Sequence, residues 1–260
     1  MPSLLLSGLA RSVMFAPIDP GGGRVEAVAN RLSDSISLGM LRDGDQLPAQ
    51  QDLAGHLGVS LITLRDALAL LKERGLIETR RGHGGGSFVK VDEQTSTSRG
   101  RAALQAMSSH DIGDLLDMQR AVSGQAARLA ADRHSWDFVS RLGELVTALE
   151  AATEPPVQCR IDGRFRVEVA ATAQSVRLTR AEMRLQAEAG PLRWLPELDE
   201  SHREDVATLA EYHREVVASH RALVEAIGRH AHNKAQSIAE ARVDADLARM
   251  LALHIQALEL

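Results

Sequence analysis

Residues 51–74, QDLAGHLGVSLITLRDALALLKER, decide how the N-terminal third of this chain folds. The segment up to Leu57 has the apolar spacing of a helix of about two turns, and Gly58 ends it. Ser60 then provides a natural N-cap for a second helix that runs to about Arg74. Two helices separated by a glycine turn predict a helix-turn-helix.

The flanking sequence predicts the remaining parts of a winged helix-turn-helix. Between Arg24 and Leu41 the apolar residues recur at three- and four-residue steps, which indicates a first helix. Residues 76–79 and 87–91 are predicted to be strands around a Gly-rich tip at residues 80–86. We therefore predict one DNA-binding domain over residues 24–91.

The rest of the chain is predicted to be helical apart from two segments. Residues 1–23 end in Pro-Gly-Gly-Gly and are predicted to be a flexible arm, and the polar residues 92–109 are predicted to be a linker. The fold class is therefore mainly α, with the winged helix-turn-helix followed by an antiparallel bundle of six or more helices over residues 110–260, which can enclose a cavity. Helices are predicted near residues 110–133, 135–152, 156–174, 176–189, 203–229 and 233–258, with a loop at residues 190–196.

The composition fits a globular helical protein. Hydrophobic residues make up 44% of the chain and aromatic residues only 3%, a bias that favours close-packed helices. The net charge of −5 argues against general attraction to nucleic acid, so DNA binding requires a local group of positive charges. No segment approaches the roughly 18 consecutive apolar residues of a membrane span and no signal peptide is legible, so we expect a cytoplasmic protein without a membrane partner. The single cysteine, Cys159, excludes an internal disulfide.

The start of the second helix of the motif carries side chains suited to DNA. In a helix-turn-helix these residues lie against base edges in the major groove. Ser60 and Thr63 are short hydrogen-bond donors, Leu61 lies between them, and Arg65 can form paired hydrogen bonds with a guanine or a phosphate. The alternative for Arg65 is a surface ion pair with Asp66 or another acid.

The tip of the predicted hairpin is a second candidate DNA contact. Arg80, Arg81 and His83 can each carry positive charge, and Gly82 allows the backbone to approach a groove. This combination suits the minor groove. We therefore predict that the hairpin is a DNA-binding wing.

Short motifs in the N-terminal region are Asp45–Pro48, Asp52–Ala54, Leu57–Ser60, Leu64–Leu68, Arg74–Glu78, Arg81-Gly82 and Ser87–Val89. Together they resemble the DNA-binding domain of the GntR family. Arginine is usual in that family where Gln51 stands and common where Leu61 stands, so the operator sequence of relatives cannot be transferred. The resemblance implies contacts with DNA at Gln51, Ser60, Leu61, Thr63, Arg65, Arg81 and Gly82.

Motifs in the C-terminal region are Asp114–Arg120, Ala126–Ala130, Asp162–Arg166 with Val169-Ala170, and His220–Leu223 with Ala226-Ile227. They resemble the all-helical ligand-binding domain, called FCD, of the FadR-type branch of the same family. The resemblance implies a dimer with a small-molecule effector. In many members it also implies a divalent metal held by an Asp, by a His four residues later and by two further His on later helices.

This chain keeps only part of that metal-binding set. Asp162 and His220 stand at their expected positions, but Arg166 replaces the first His. The last His falls on Arg242, or on Asp244 if two residues are inserted. A guanidinium has no lone pair for a metal. We therefore expect no metal cofactor, and a divalent ion at Asp162 and His220 is the alternative.

Arginines in place of metal ligands predict direct binding of an anion. Arginine forms bidentate hydrogen bonds with carboxylates and phosphates, so arginines that converge in a helical cavity would hold a small acidic effector, an organic acid or an acyl-CoA. Two alternatives stay open: Asp162 and Arg166 form only an internal i, i+4 pair, or the C-terminal domain only dimerises. His213 is included because it would be the replacement ligand if a metal binds. The predicted effector-binding residues are Arg120, Asp162, Arg166, His213, His220 and Arg242.

These inferences predict a homodimeric transcription regulator, a repressor or an activator. It would bind a pseudo-palindromic operator in double-stranded DNA, and the effector would shift the population of binding-competent dimers. The alternative of an enzyme is weak, because the sequence shows no nucleophile, base and orienting group in a recognisable arrangement and no phosphate-binding glycine motif.

Overall fold

The N-terminal domain is a winged helix-turn-helix, as predicted. The computed structural model describes residues 8–18, 23–82, 85–91, 93–196 and 208–258. Outside those ranges lies one residue predicted to contact DNA, His83. The elements of the domain are α2 (Arg24–Ser37), α3 (Gln50–Leu57), α4 (Leu61–Glu73), β1 (Ile77–Arg80) and β2 (Gly86–Val89).

Local sequence explains the turn between α3 and α4. Gly58 has φ +63°, a left-handed conformation that glycine adopts without strain, and it ends α3. The Ser60 side chain caps α4 by accepting a hydrogen bond from the backbone N–H of Thr63. The two helices are bent by 104° relative to each other, within the range of a helix-turn-helix.

The wing is a two-stranded antiparallel hairpin. Its register pairs Ile77 with Val89 and Arg80 with Gly86. A single bridge between Gln46 and Phe88 attaches the segment before α3 to the outer side of β2. The hairpin is therefore held at its base by the domain while its tip is exposed.

In its described part, residues 8–18, the N-terminal segment is not the flexible arm that was predicted for residues 1–23. Residues Gly8–Met14 form a helix, α1, and the side chains of Ala10, Val13 and Met14 are buried. Their i, i+3, i+4 spacing places them on one face of the helix, and this is the buried face. Arg31 of α2 donates hydrogen bonds to the carbonyls of Val13, at 2.9 Å, and Ala16, at 3.3 Å.

The predicted linker at residues 92–109 is also largely helical. Glu93–Ala106 form α5, whose Leu104 is buried and whose Gln105 donates a hydrogen bond to the carbonyl of Ala257. The polar composition of this segment hid the helix, although Gly100 and Leu104 are buried and Arg99 donates a hydrogen bond to the carbonyl of Arg74. The DNA-binding domain is thus joined to the C-terminal half by a packed helix.

In the described part of the C-terminal domain, six further helices form the bundle, which confirms the predicted helical fold. The loop predicted at residues 190–196 begins only after Arg193, because α9 continues through Pro191. Among the described residues no single helix is long and apolar enough to cross a bilayer, and the bent pair α3 and α4 passes that test only jointly. The helices are α6 (Ser109–Arg133), α7 (Trp136–Ala151), α8 (Pro155–Thr172), α9 (Val176–Arg193), α10 (Leu209–Gly228) and α11 (His232–Leu258).

One hydrophobic core belongs to both halves of the chain. It contains α1, the apolar residues of the DNA-binding domain, and Val167, Ala171 and Met183 from α8 and α9. Val167 directly follows Arg166 and Met183 directly follows Glu182. Helices α8 and α9 therefore have one face in the shared core and another inside the bundle.

Candidate functional site

The N-terminal end of α4 presents the side chains predicted to meet DNA. Ser60 is exposed and its hydroxyl lies 2.8 Å from that of Thr63, while Leu61 is half-buried. Arg65 is exposed, and its Nε donates a hydrogen bond to Gln50 Oε1 at 3.2 Å rather than to Asp66. This contact links α4 to α3 and leaves the outer nitrogens of the guanidinium available for other contacts.

Sequence reasoning missed two residues near this surface. Gln50, which begins α3, orients Arg65, and its neighbour Gln51 is exposed beside it. Ile62 on α4 has 71% of its surface exposed, which is unusual for a large apolar side chain. Its position, second in α4, is the signal that could have identified it.

The wing holds its basic residues in different ways. Arg80 donates to Glu78 at 2.7 Å and its guanidinium lies 4.3 Å from the centre of the Phe88 ring. Arg81 and Gly82 are exposed at the tip, and Gly82 has φ +107°, a conformation that L side chains rarely adopt. The tip thus presents Arg81, while Arg80 is tied to the strands.

Asp162 is the centre of a buried polar cluster in the C-terminal domain. Its Oδ1 accepts hydrogen bonds from Arg166 Nε and from His220 Nε2, each at 2.8 Å. Its Oδ2 accepts from Arg193 Nη2 and from Trp194 Nε1, each at 3.0 Å. The carboxylate has no solvent exposure.

A second buried carboxylate, Asp246, holds the other side of the same arginines. Arg166 Nη1 lies 2.9 Å from Asp246 Oδ2, and Arg242 Nε donates to Oδ1 at 3.1 Å. The Tyr212 hydroxyl also donates to Oδ1, at 2.9 Å. Arg166 therefore bridges two carboxylates.

The electrostatics of the cluster keep both carboxylates charged. Burial alone would raise the pKa of Asp162, but Arg166 and Arg193, together with the hydrogen bond from His220, bring that pKa well below its ordinary value. Arginines lower the pKa of Asp246 in the same way against its burial. Burial lowers the pKa of His220, so its ring is neutral near pH 7. Because a carboxylate only accepts, the His220 proton lies on Nε2.

The arginines of the cluster face more than the two aspartates. Arg166, Arg193 and Arg242 pair with Asp162 and Asp246, and the buried Glu182 carboxyl also lies near Arg166 and Arg193. Arg242 Nη1 in addition lies 3.7 Å from Glu215 Oε2, whose side chain is more than half exposed.

A cavity lies beside this cluster, between α6, α8, α9, α10 and α11. The volume that the centre of a water molecule can occupy in it is about 30 Å³. The total empty space, including the mouth that opens to solvent, is about 370 Å³. Its apolar wall consists of Ala126, Phe165, Val169, Leu223 and Ala239. Its polar wall consists of Ser123, Arg166, Glu182, Ser219, His220 and Arg242.

Arg166 has an unused donor at this cavity. Its side chain is only 7% exposed, and its Nη2 is buried without a hydrogen-bond partner among the described residues. A buried donor without a partner is rare and costs about 1–3 kcal/mol. An acceptor that enters the cavity would remove that cost.

The structure brings together only part of the predicted effector site. Arg166, His220 and Arg242 line the cavity, and Asp162 supports them from behind. The prediction that Arg120 converges on them is corrected. Arg120 lies on the outer face of α6, with Glu240 at 3.3 Å and Asp244 at 3.0 Å.

His213 is likewise outside the cavity, which corrects its predicted place. Its Nε2 bonds to the carbonyl of Leu149 at 2.8 Å. His213 and His220 are seven residues apart, close to two helical turns, but the separation along the helix axis is about 10 Å. That distance puts them at different levels of α10, so one small site does not include both.

Sequence reasoning missed Arg193, Asp246 and Glu182. Arg193 fell in a predicted loop, where no inward-facing side chain was expected. Asp246 follows Arg242 by four residues, the reverse of the Asp162 and Arg166 pair, and that spacing was the available signal. Glu182 occurs in a helix rich in charged residues, which gave no reason to single it out.

The residues present do not fit a metal centre of the FCD type. Two of the four expected ligand positions hold Arg166 and Arg242, and both guanidiniums contact the carboxylates that a cation would use. Within the described ranges no group of three or more His, Cys, Asp or Glu side chains is arranged to hold a metal.

Comparison with known proteins identifies both halves of the chain. The model of bacterial regulatory proteins of the gntR family matches residues 24–89, and the FCD domain model matches residues 114–245. The HTH-type transcriptional regulator RmpR of Mycobacterium gastri is 37% identical over 83% of this chain and 76% of its own length. Rv0494 of Mycobacterium tuberculosis, also named an HTH-type transcriptional regulator, is 31% identical over 65% of this chain and 69% of its own length.

A solved structure supports the fold alone. E. coli McbR/YncC superposes with a TM-score of 0.50 at 17% identity, covering 89% of this chain and 98% of its own. The two family models and both relatives are those of transcription regulators. The chain belongs to the GntR family of bacterial regulatory proteins, and it is a transcription regulator that combines a winged helix-turn-helix with an FCD domain.

Proposed function

We propose that a small organic acid binds in the cavity of the FCD domain and changes the affinity of this regulator for its operator. The observation that carries the proposal is the buried Nη2 of Arg166, a donor without a partner among the described residues, on a side chain that lines the cavity together with Arg242. A carboxylate would supply the acceptor that this donor lacks.

The size of the cavity favours a small acid over an acyl-CoA. The volume that water centres can occupy in the cavity is enough for about two water molecules. An acid of three or four carbons is closer to this size than an acyl-CoA, which is many times larger.

The proposed recognition uses no metal. Arg166 and Arg242 supply the positive charge that a divalent ion supplies in many FCD domains, and Asp162 and Asp246 fix their orientation. The i, i+4 pair of Asp162 and Arg166 exists, but it leaves one nitrogen of the guanidinium free for a ligand.

The helices that line the cavity also provide the coupling to DNA. Arg166 and Glu182 face the cavity, whereas the next residues, Val167 and Met183, lie in the core shared with the DNA-binding domain. A ligand that shifts α8 or α9 therefore repacks that core. A coupling free energy of about 1–3 kcal/mol is sufficient for regulation.

On DNA, we propose that α4 lies in the major groove and the wing tip in the minor groove. Ser60, Thr63 and Arg65 would contact bases or phosphates, with Leu61 and Gln51 at the edge of the surface. Ile62 would contact a thymine methyl group. Arg81 and Gly82, with His83 and the tethered Arg80, would form the minor-groove contact. A homodimer in the cytoplasm would place two such heads on a pseudo-palindromic operator.

Isothermal titration of the full-length protein tests the effector proposal. Acetate, propanoate, lactate, alanine and succinate are titrated in buffer with EDTA, and operator binding is measured by electrophoretic shift with and without each acid. At least one acid should bind and change the shift. Arg242→Gln should weaken binding by about 10- to 100-fold, the effect of losing a charged hydrogen bond.

Arg120→Gln is the matched control, because it removes an arginine of the same domain that lies outside the cavity. It should leave acid binding unchanged. If no acid binds, the FCD domain serves dimerisation only. If binding requires a divalent metal and is lost in EDTA, the arginine site is wrong.

A further inference from the structure

Glu182 adds an acidic side chain to a cavity that is also lined by arginines. Its side chain comes from α9, is 1% exposed and lines the same cavity as Arg166 and Arg242. Ser123 of α6 donates its hydroxyl to the Glu182 carboxyl, with distances of 2.9 and 3.0 Å to the two oxygens. Gln186 donates to Oε1 at 2.7 Å.

The Glu182 carboxyl has capacity for another donor. A carboxylate has about four lone-pair sites, and two protein donors, Ser123 and Gln186, are directed at it. Burial raises the pKa of Glu182, while those two hydrogen bonds and the nearby Arg166 and Arg193 lower it in part. A donor from inside the cavity would stabilise the charged form further.

The cavity therefore offers a ligand two groups of opposite kinds. Arg166 Nη2 is a donor that lacks an acceptor, and Glu182 is an acceptor with room for a donor. A plain alkyl acid satisfies the arginine but leaves the Glu182 carboxyl facing hydrocarbon, which is unfavourable for a buried polar group. A ligand that carries both a carboxylate and a hydrogen-bond donor provides a partner for Arg166 and for Glu182.

We infer that the ligand carries a hydroxyl or ammonium group next to its carboxylate, so that the carboxylate binds Arg166 and Arg242 and the donor binds Glu182. Glu182 is then the residue that selects a hydroxy or amino acid over an alkyl acid of the same size. This inference rests on the proposed function, because it concerns the same cavity.

Titration of the full-length protein with matched probes tests it. The probes are propanoate, 2-hydroxypropanoate and 2-aminopropanoate, and their four-carbon homologues, with both enantiomers of each chiral acid. A donor-bearing acid should bind at least about tenfold more tightly than the alkyl acid of the same length, since hydrogen bonds to charged groups have that strength.

Glu182→Gln tests the role of the residue itself. The amide keeps the size and an acceptor oxygen but removes the charge, so the preference for the amino acid should fall by at least about tenfold and that for the hydroxy acid should fall less. Affinity for propanoate should stay equal or rise. Glu188→Gln, an exposed position on the same helix, is the control, and the thermal midpoint of each variant verifies that it is folded.

The outcomes separate this inference from the proposed function. If alkyl acids bind as tightly as their hydroxy and amino counterparts, or if Glu182→Gln leaves the preference intact, the inference is overturned while the arginine site stands. If none of the probes binds, both are overturned.

Discussion

The side chains around Asp162 show how single residues determine the character of this site. Donors from α8, α10 and the end of α9 converge on one buried carboxylate, and a histidine and an arginine occupy its Oδ1. The sequence left an i, i+4 pair of Asp162 and Arg166 open as an alternative, because the two residues are four apart. It could not predict Arg193 and Trp194, whose approach depends on where α9 ends in three dimensions.

Asp162→Asn should lower the free energy of unfolding by about 3–5 kcal/mol at pH 7, because it leaves buried arginines without a counter-charge. The pKa of Asp162 is lower in the folded than in the unfolded chain, so its stabilisation is complete above the ordinary value of about 4 and is lost as the pH falls through the folded value. Urea denaturation at pH 7, 5 and 3.5 should therefore show the difference from wild type shrinking only at the lowest pH. Asp114→Asn, at an exposed position, should change little. An unaltered midpoint for Asp162→Asn would contradict the buried network.

Arg65→Ala should weaken operator binding by about 1–3 kcal/mol, because the guanidinium is the one long basic side chain among the predicted major-groove contacts on α4. Electrophoretic shift with the promoter of the regulator's own gene, at several salt concentrations, measures this. Lys72→Ala, near the far end of the same helix, is the control. Equal losses for the two variants would mean that α4 contributes only general charge.

At the scale of whole elements, prediction from sequence succeeded where the apolar residues recurred with a regular helical period. It failed where the sequence carries no such pattern. Helices α6, α7, α8 and α11 begin and end within a few residues of their predicted bounds, because their buried residues recur regularly. α1 and α5 were missed because α1 is only seven residues long and α5 begins with a run of polar residues. α9 continues through Pro191, although proline normally ends a helix.

Gly163 shows how tightly α8 packs against the end of α2. A Cβ at this position would lie 2.7 Å from Leu38 Cδ2, a buried side chain. Gly163→Ala should therefore destabilise the protein by about 1–3 kcal/mol through overpacking. Gly143→Ala, in the middle of α7 with no atom within 4 Å of the new Cβ, should instead stabilise it by up to about 1 kcal/mol. Thermal denaturation of both variants measures the contrast, and stabilisation by both would show that the contact is loose.

Asp34 lies on α2 where the DNA-binding domain meets α9, and its burial raises its pKa to about 7, against Arg184 and Arg31 and with help from Glu188. A folded pKa above the unfolded value means that stability falls as the pH rises from about 4 to about 7 and is constant above that. Asp34→Asn should remove this loss of stability at higher pH.

The variant should thus be about 1–3 kcal/mol more stable than wild type at pH 8, allowing for partial solvent screening, and equally stable near pH 4. Urea denaturation at the two pH values checks this. A constant difference between the two proteins would contradict the raised pKa.

The whole molecule is held together by the core that α1, the DNA-binding domain, α8 and α9 share. Two domains joined by a flexible linker would unfold separately, whereas domains with a common core unfold together. Scanning calorimetry of the protein should therefore give one transition, and Met183→Ala should shift it as a whole. Two resolved transitions would show that the interface is weak.

The neighbouring positions of Arg166 and Val167, and of Glu182 and Met183, also constrain how a biosensor could be made from this regulator. Substitutions on α8 or α9 that change the proposed ligand site should alter operator binding at the same time, because the adjacent residues lie in the core shared with the DNA-binding domain. Ser219 and Ala239, on α10 and α11, border the cavity without belonging to that core. Libraries that vary these two positions should change which molecule is detected while preserving the switch itself.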